Sequence, residues 1–277
     1  MRVALVTPVY MSQPKEEELL SIDNTIDVFG SSLDKYFIAP VGLDMKAYAK
    51  FVERGYSVKF LKRRYFKSPQ TYNRLMRSLV FFDAFSEYDY ILIVHSDAWV
   101  FRDDLAYWTK KGFDYVGAPL YEFNNTMEGG KYIGVGNGGF SMHNVKSAVS
   151  VLNSWKIVYS LNDLMSWYMN YNLKGKIVYL FYFLRMLIGF GRYAHSRFND
   201  VKINEDVWWG TYVPKTFDWY RVAPFDDAYK FSMEYNGEYL LRLNGNVLPF
   251  GCHGWFSEQL KSFWMPRILN KGNEIQE

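Results

Sequence analysis

The stretch ILIVHSDAWVF, residues 91–101, begins as a buried strand and then places an imidazole, a hydroxyl and a carboxylate where the apolar run should continue. Four consecutive apolar residues predict a central strand that is covered on both faces. Open α/β sheets bind ligands in the crevice outside the carboxyl ends of their strands, where this strand would deliver Asp97. Asp97 is therefore either an acid of a binding site or a cap for the following turn, since Asp is common in turns.

The residues before this stretch alternate between strand and helix patterns. Strands are predicted at 2–10, 35–42 and 56–62, and helices at 16–33, 45–55 and 68–85. The third helix starts with a Ser68-Pro69 cap pair. Strands that alternate with helices imply a mostly parallel sheet with right-handed crossovers, so the sequence predicts an α/β fold.

The pattern changes after residue 100. Short strands and glycine-rich loops are predicted at 113–121 and 132–144, and helices at about 144–195, followed by a loop-rich tail. The sequence contains no internal repeat, low-complexity tract or Pro/Ser-rich linker. We therefore expect one continuous domain over residues 1–277, with a helical insertion at about 145–200.

Composition and charge exclude several classes of protein. Hydrophobic residues make up 49% of the 277 residues and aromatic residues 19%, which is enough apolar area to offset chain entropy and argues against disorder. The net charge of +3 is too small to indicate nucleic-acid binding. The stretch KFLKRRYFK, residues 59–67, is interpreted as a solvated face in preference to an anion site. With Cys252 alone and no signal-peptide pattern, the sequence predicts a cytoplasmic protein.

The most apolar segment is IVYLFYFLRMLIGF, residues 177–190. It contains Arg185 and is shorter than the roughly 20 residues that span a bilayer. Its basic neighbours Lys174, Lys176 and Arg192 are typical of an interfacial helix on anionic lipid. A helix that is apolar at nearly every position is also typical of a protein core, and this is the interpretation that we favour.

Four polar stretches each have a structural and a functional interpretation. A glycine loop can make a tight turn between strands or bring backbone close to a ligand, but this one has no Gly-Lys-Ser/Thr and is not a P-loop. Asn204 can cap a helix that starts at the two acids. His253 is either a surface histidine or a site residue, and a zinc site with Cys252 is not expected because no second cysteine exists. The stretches are HSDAW (95–99), GVGNGGFSM (134–142), NEDVWWG (204–210) and PFGCHGW (249–255).

In this order, the four stretches resemble the layout of GT-A glycosyltransferases, particularly the Fringe and core-galactosyltransferase type. The closer resemblance is to an uncharacterised bacterial family of GT-A-type glycosyltransferases, a domain-of-unknown-function family. It is carried by YDYILIVHSDAWVF, GFDYVGAP, GNGGFSM, NEDVWWG and CHGW, and covers roughly residues 1–260. The resemblance implies a Rossmann-like, mixed and mostly parallel sheet flanked by helices. Its nucleotide-binding half would be at about 1–100, and its acceptor and metal half at about 101–277.

The resemblance also implies an activity. A hexosyltransferase of this kind moves a sugar from a nucleotide-diphosphate donor, such as a UDP-sugar, to a hydroxyl of a glycan or lipid-linked glycan. The implied setting is bacterial surface polysaccharide or lipopolysaccharide synthesis, by a cytoplasmic enzyme that visits the inner face of the membrane. A divalent ion, Mn²⁺ or Mg²⁺, would stabilise the departing diphosphate as a Lewis acid.

The resemblance assigns roles to individual residues. Asp97 matches the last acid of the Asp-x-Asp motif and His253 matches the late histidine, so both are predicted metal ligands. The first acid of the motif is replaced by His95, which shares a face of an extended strand with Asp97 and is expected near the same ion or the ribose. Asp206 corresponds to the general base of inverting relatives, with Glu205 orienting the acceptor or replacing it as base.

The remaining expectations concern the donor, the sugar and the late histidine. Trp208 and Trp209 would either cover a sugar ring or pack in the core. Residues 249–256, which carry His253 between glycines, are expected to be mobile without donor. The predicted donor-binding residues are Thr7, Pro8, Val9, Tyr10, Tyr72, Asn73, His95, Ser96, Asn137, Gly138 and Gly139.

Two other functions are compatible with parts of the sequence. A sugar nucleotidyltransferase also uses an α/β sheet and a divalent ion, but VTPVYMSQP lacks the glycine-rich, Lys/Arg-bearing signature that such enzymes carry near the N-terminus. A non-catalytic carbohydrate-binding protein would explain the aromatic residues. It would not explain two acids and a histidine around a Gly-Gly loop, so the transferase is the preferred interpretation.

Overall fold

The computed structural model describes residues 1–121, 131–199 and 203–269. The strands that it contains in these ranges are β1 (Val3–Pro8), β2 (Asp34–Pro40), β3 (Tyr56–Leu61), β4 (Tyr90–Val94), β5 (Ala98–Val100), β6 (Tyr115–Val116), β7 (Ala118–Tyr121), β8 (Tyr132–Gly136), β9 (Phe140–Asn144), β10 (Ser232–Met233) and β11 (Gly251–His253).

The helices in the same ranges are α1 (Glu16–Phe29), α2 (Ala49–Glu53), α3 (Pro69–Met76), α4 (Leu79–Asp83), α5 (Leu105–Lys111), α6 (Val145–Leu152), α7 (Leu161–Met169), α8 (Leu173–Leu187), α9 (Glu205–Val207), α10 (Val213–Thr216), α11 (Phe225–Phe231), α12 (Gly237–Leu243) and α13 (Lys261–Leu269). Short 3-10 turns occupy Lys46–Tyr48 and Arg63–Phe66, and a π-helical turn at Trp208–Tyr212 joins α9 to α10.

The central sheet has six strands in the order β3-β2-β1-β4-β9-β6. The pairs β3–β2, β2–β1 and β1–β4 are parallel, whereas β9 runs antiparallel to both β4 and β6. The mixed, mostly parallel sheet flanked by helices that the sequence predicts is thus confirmed. Strand order changes direction at β1 and β4, and the crevice at such a switch point is the usual ligand site of an open α/β sheet.

Strand β4 is buried at every residue, as its apolar run predicts. Ile91 and Ile93 pack into the hydrophobic core on one face of the sheet, and Leu92 and Val94 into the core on the other. Alternate side chains of a strand point to opposite faces, so β4 is covered from both sides. This burial fixes the position of the polar residues that follow Val94.

The predicted helices of the first half are present with altered bounds. The helix expected at 68–85 is two helices, α3 and α4, and the Ser68 hydroxyl caps α3 by accepting a hydrogen bond from the Thr71 backbone N–H at 3.3 Å. The helix expected at 45–55 is a 3-10 turn followed by α2. Gly55 ends it with a φ of 105°, a left-handed conformation that glycine adopts without strain.

The expectation of a loop-rich tail is wrong for the described residues. Helices α11, α12 and α13 lie there, and they pack around a third hydrophobic core that includes Trp255 and Trp264. Each of these helices has nine residues or fewer. Such short helices give a weak periodic signal in the sequence.

A second, three-stranded sheet has the order β10-β11-β5. Strand β11 runs antiparallel to β5, with Cys252 opposite Trp99 and His253 opposite Ala98. Residues 249–256, expected as a mobile loop, therefore contain a strand that is hydrogen-bonded on both sides. The pairing places His253 beside the residue that follows Asp97.

The favoured interpretation of residues 177–190 as a buried core helix is wrong. Helix α8 leaves Ile177, Phe181 and Ile188 at 69%, 79% and 75% exposure, whereas Met186 is buried. A helix that is apolar on all sides does not reveal from its sequence alone which side is covered. Within the described ranges, no helix combines the length and the apolar character that crossing a membrane requires.

Candidate active site

The turn between β4 and β5 carries His95, Ser96 and Asp97 at the rim of the central sheet. The His95 backbone N–H donates to the Gly139 carbonyl at 2.8 Å, and the Ala98 N–H donates to the His95 carbonyl at 3.0 Å. The chain thus reverses immediately after β4. The polar residues lie at the carboxyl edge, as the sequence predicts, instead of continuing the buried strand.

His95, Asp97 and His253 form one cluster. One potential ligand atom from each residue lies within 4.8 Å of those of the other two, and this is the one such group found in the described residues. His253 Nε2 lies 3.2 Å from Asp97 Oδ1, and the rings of His95 and His253 meet edge to face at 5.5 Å between centroids. Two imidazoles and a carboxylate therefore converge from two different sheets.

The cluster holds its three groups in different charge states. Burial alone would raise the pKa of Asp97, but the charge and hydrogen bond of His253, with a smaller contribution from His95, bring this pKa well below its usual value. Burial opposes the charged form of His253, yet Asp97 and Glu234 raise its pKa well above 6.5. Burial and the charge of His253 lower the pKa of His95 to about 4. At neutral pH the cluster therefore pairs a carboxylate with one imidazolium and keeps the other imidazole neutral.

Glu234 completes the cluster and was missed in the sequence. Its Oε1 atom lies 3.1 Å from His253 Nδ1, on the side of the ring opposite Asp97. A carboxylate in this position fixes the tautomer and orientation of a metal-ligating histidine. No motif surrounds Glu234, and only the pairing of β10 with β11 brings it to His253, so no local signal could have identified it.

The glycine loop between β8 and β9 contacts both halves of the site. A Cβ atom on Gly138 would lie 1.8 Å from Glu205 Oε1, and one on Gly139 would lie 2.1 Å from the His253 ring. The Asn137 backbone has a φ of 71° and its side-chain Oδ1 accepts from the Gly139 N–H at 3.1 Å. Because Gly138 and Gly139 have no Cβ atom, the side chains of Glu205 and His253 can lie close to the backbone of this loop.

Asp206 is held at the start of α9 by two backbone groups. Its Oδ2 accepts from the Asn137 N–H at 2.9 Å and its Oδ1 from the Val207 N–H at 2.7 Å. Burial raises the pKa of Asp206, and the two hydrogen bonds partly offset this rise. Asp206 remains partly exposed, so it is an accessible carboxylate with a raised proton affinity.

Glu205 differs from its neighbour. It is 3% exposed, and its Oε2 has no hydrogen-bond partner among the described residues. Burial, followed by the charge of Asp206, raises the pKa of Glu205 well above its usual value, which favours the protonated form. Asn204 precedes it but makes no side-chain cap, because its Oδ1 accepts from the Asn73 amide at 3.2 Å instead.

Some predicted donor-binding residues border the cluster and others do not. The Tyr72 hydroxyl is hydrogen-bonded to His95 Nε2 at 3.0 Å, and the Ser96 hydroxyl donates to Glu18 Oε1 at 2.7 Å. Tyr10 is 61% exposed after β1. Asn73 contacts Asn204 beside Glu205, whereas the side chains of Thr7, Pro8 and Val9 are buried.

Trp208 and Trp209 belong to the core. Both are fully buried, and the Trp209 indole donates to the Met76 carbonyl at 3.1 Å. The interpretation of this pair as a surface for a sugar ring is therefore wrong. Their role is to anchor the helix that presents Glu205 and Asp206.

A family model described as "Protein of unknown function (DUF5672)" matches residues 55–253. The matched region includes the β4–β5 turn, the glycine loop, α9 and β11, and thus every residue of the cluster. A search of curated proteins found no match for this sequence.

Several solved structures resemble the chain. Mouse xyloside xylosyltransferase 1, in its apo form, aligns with a TM-score of 0.50 at 9% identity, over 94% of this chain and 99% of that one. Core-mannan synthase A (CmsA/Ktr4) from Aspergillus fumigatus, in its Mn/GDP form, gives 0.42 at 9% identity, over 75% and 71%. TarS from S. aureus gives 0.38 at 11% identity, over 56% of this chain and 30% of TarS, so the chain spans less than a third of that protein. The similarity to the xylosyltransferase establishes the GT-A-like fold.

Proposed function

The chain belongs to the DUF5672 family, whose description gives no activity, and we propose that it is a metal-dependent glycosyltransferase. It moves a sugar from a nucleoside-diphosphate donor to an acceptor hydroxyl. The observation that carries this proposal is the glycine loop at 137–139, which contacts His253 of the cluster on one side and Glu205 and Asp206 on the other. The residues that we propose for binding the leaving diphosphate and for taking the proton thus lie side by side.

The cluster supports the leaving-group half of the reaction. Two imidazole nitrogens and one carboxylate oxygen suit Mn²⁺ better than Mg²⁺, which prefers oxygen ligands throughout. His95, Asp97 and His253 would hold the ion, and Glu234 keeps His253 Nε2 directed at the cluster. When bound, such an ion stabilises the charge that develops on the departing diphosphate.

Asp206 supports the acceptor half. It is the partly exposed carboxylate beside the cluster, and burial raises its affinity for a proton. A positioned carboxylate that takes the proton of an acceptor hydroxyl contributes about 10² to 10⁴ in rate. Glu205 is buried against Gly138, where burial favours its protonated form, so we assign it to positioning the glycine loop and Asp206. A base of this kind fits direct displacement with inversion.

The donor would lie in the crevice at the carboxyl ends of β1 and β4, where the strand order of the sheet changes direction. Exposed Tyr10 offers a ring to the nucleotide, while Tyr72 and Ser96 border the cluster. Thr7, Pro8 and Val9 would contribute backbone to the floor of the crevice. On the basis of the sequence resemblance, we further propose that the donor is a UDP-sugar and the acceptor a glycan or lipid-linked glycan. The same resemblance supports a role in bacterial surface polysaccharide synthesis at the inner face of the cell membrane.

The test is release of nucleoside diphosphate from a panel of nucleotide sugars, with Mn²⁺ and a mixture of glycan and lipid-linked acceptors. We expect release from one donor class, lost on chelation of the metal and in Asp97→Asn, and kept in Asp218→Asn, which removes an exposed acid elsewhere. In a parallel assay with nucleoside triphosphates and sugar 1-phosphates, release of pyrophosphate would instead indicate a nucleotidyltransferase. Absence of any release while the nucleotides bind would contradict transfer and support a binding protein.

A further inference from the structure

Helix α8 presents an unusual apolar face. Six exposed side chains recur at i, i+4, i+7, i+8, i+11 and i+15, which places them along one side of a helix with 3.6 residues per turn. We call this set the α8 stripe. Its members are Leu173, Ile177, Leu180, Phe181, Leu184 and Ile188, which ends the helix.

The α8 stripe is the outer face of a helical hairpin. The other side of α8 packs on α7, where Tyr168 stacks on Phe183 at 4.2 Å between ring centroids, and Tyr171 of the turn that follows α7 stacks on Tyr179 at 4.6 Å. Met186 is buried on this inner side. The stripe is therefore not the inner surface of the hairpin. A contiguous apolar surface that a protein leaves exposed marks an interaction site.

Positive charge borders the α8 stripe. Helical geometry places Lys174 and Arg185 along one border and Lys176 along the other. Residues 164–199 contain five basic residues and no Asp or Glu. An apolar face between basic borders is complementary to the surface of a bilayer that contains anionic lipid.

A basic cavity adjoins the hairpin. It has a volume of about 500 Å³, and Arg185 of α8 is one of its lining residues. Among the described residues that line it, no acid occurs. Its five basic lining residues are Arg64, Lys67, Arg74, Arg185 and Arg197. The stretch KFLKRRYFK, interpreted from sequence as a solvated face, thus contributes two cations, Arg64 and Lys67, to the lining of this cavity.

We propose that the α7–α8 hairpin docks on a membrane that contains anionic phospholipid. The α8 stripe lies at the boundary between headgroups and acyl chains, and the basic cavity takes lipid phosphates. Docking would bring the cleft to lipid-linked acceptors, so the purpose of docking rests on the proposed function. Docking itself needs neither the donor nor the metal.

The test is flotation with phosphatidylcholine vesicles, with and without phosphatidylglycerol. We expect binding to the anionic vesicles at least about tenfold tighter than to the neutral ones. The double variants Ile177→Ser/Phe181→Ser and Arg64→Ala/Lys67→Ala should each weaken it by about tenfold or more. The matched controls Val247→Ser and Lys46→Ala/Lys110→Ala, which change exposed residues elsewhere, should bind as wild type does.

Equal binding to both kinds of vesicle, no binding, or binding that neither double variant weakens would overturn the proposal. A wild-type dimer that Ile177→Ser/Phe181→Ser converts to a monomer would also overturn it, because a second copy would then cover the stripe. Asp97→Asn should bind vesicles as wild type does. A protein that releases nucleoside diphosphate without binding vesicles refutes docking alone, and one that binds vesicles without transfer refutes the function alone.

Discussion

The surroundings of Asp97, Glu205 and Asp206 give these three carboxyl groups of the cleft different proton affinities. The pKa of Asp97 is lowered mainly by His253, that of partly exposed Asp206 is raised by burial, and that of buried Glu205 is raised well above its usual value. Neighbouring acids with separated pKa values are a common basis for dividing the roles of ligand, base and spectator. This separation allows the roles to be tested one residue at a time.

The first prediction separates Asp206 from Glu205. Asp206→Asn keeps nearly the same shape, so donor affinity should persist while transfer falls by about 10² or more, the loss expected for a general base. Glu205→Gln is the matched control, because it makes the same change from carboxyl to amide at the neighbouring acid, which is buried. Transfer rates and donor affinity are measured for both variants, with thermal melts to verify folding.

Transfer by Asp206→Asn within about threefold of wild type, a difference of roughly 0.65 kcal/mol, would remove Asp206 from the mechanism. Equal losses in both variants would mean that the pair acts as one structural unit.

The second prediction concerns the two glycines of the loop. In Gly139→Ala the new Cβ lies 2.1 Å from the His253 ring, so the imidazole must move away from Asp97. We expect Mn²⁺ affinity to fall by at least about tenfold, as when the support of a metal ligand is lost. In Gly138→Ala the Cβ meets Glu205 instead, so Mn²⁺ affinity should stay near that of wild type.

Titration of Mn²⁺ by electron paramagnetic resonance measures both affinities. A folded Gly139→Ala protein that binds Mn²⁺ as tightly as wild type would show that His253 is not a ligand.

The candidate site lies where strands of the two sheets end. Val94 at the end of β4 pairs with Phe140 at the start of β9, which places the glycine loop beside the β4–β5 turn. Strand β11 fixes His253 between β10 and β5, where a mobile loop was expected. Ordered strands hold the three cluster residues in place before any ligand arrives, which reduces the entropy cost of binding.

The third prediction tests the sheet beside the site. His143 on β9 is fully buried among Phe82, Tyr115 and Trp209, both of its ring nitrogens lack partners in the described residues, and burial lowers its pKa to about 3. The unfolded chain binds a proton here below about pH 6.5 but the folded one does not, so stability falls as the pH drops through this range.

Between about pH 7.5 and pH 5, His143 should cost the folded state about 2 kcal/mol, and His143→Phe should remove that part of the pH dependence. Urea unfolding at both pH values gives the comparison, which is independent of how well the new ring packs. An unchanged pH dependence in the variant would mean that His143 is hydrated or paired.

The elements differ in how well the sequence predicts them. Strands β1 to β4 and helix α1 have strong periodicity or long apolar runs, and they lie close to the predicted positions. The short helices α11 and α12 were missed because seven residues give too little periodic signal. Burial of α8 was predicted wrongly, since its apolar composition fits a core and an interface equally well, and only the packing on α7 distinguishes them.

Contacts in the candidate site between residues that are far apart in the sequence were also difficult to predict. Asp97, Asp206 and His253 stand in recognisable stretches, so a motif resemblance was enough to nominate them. Glu234 has no such context, and its contact with His253 depends on the pairing of two short strands. The roles assigned to these residues stay predictions until the variants are measured.

In the whole molecule, helix α3 connects the cleft with the basic cavity. Tyr72 on one side of this helix is hydrogen-bonded to His95, while Thr71 and Arg74 line the cavity that Arg185 of α8 also borders. The cluster itself joins residues from both halves of the chain. The proposed donor site and the proposed membrane contact therefore both border helix α3.

The proposed mechanism requires one divalent ion and the donor diphosphate to meet at His95, Asp97 and His253. Crystals containing Mn²⁺ and the nucleoside diphosphate released in the donor assay test it by anomalous diffraction at the manganese edge. We expect a single manganese peak beside His253 Nε2, Asp97 and His95 and next to the diphosphate, with Glu234 still hydrogen-bonded to His253 Nδ1. A nucleotide bound in the crevice with no peak at these three residues, or with the peak at other ligands, would contradict it.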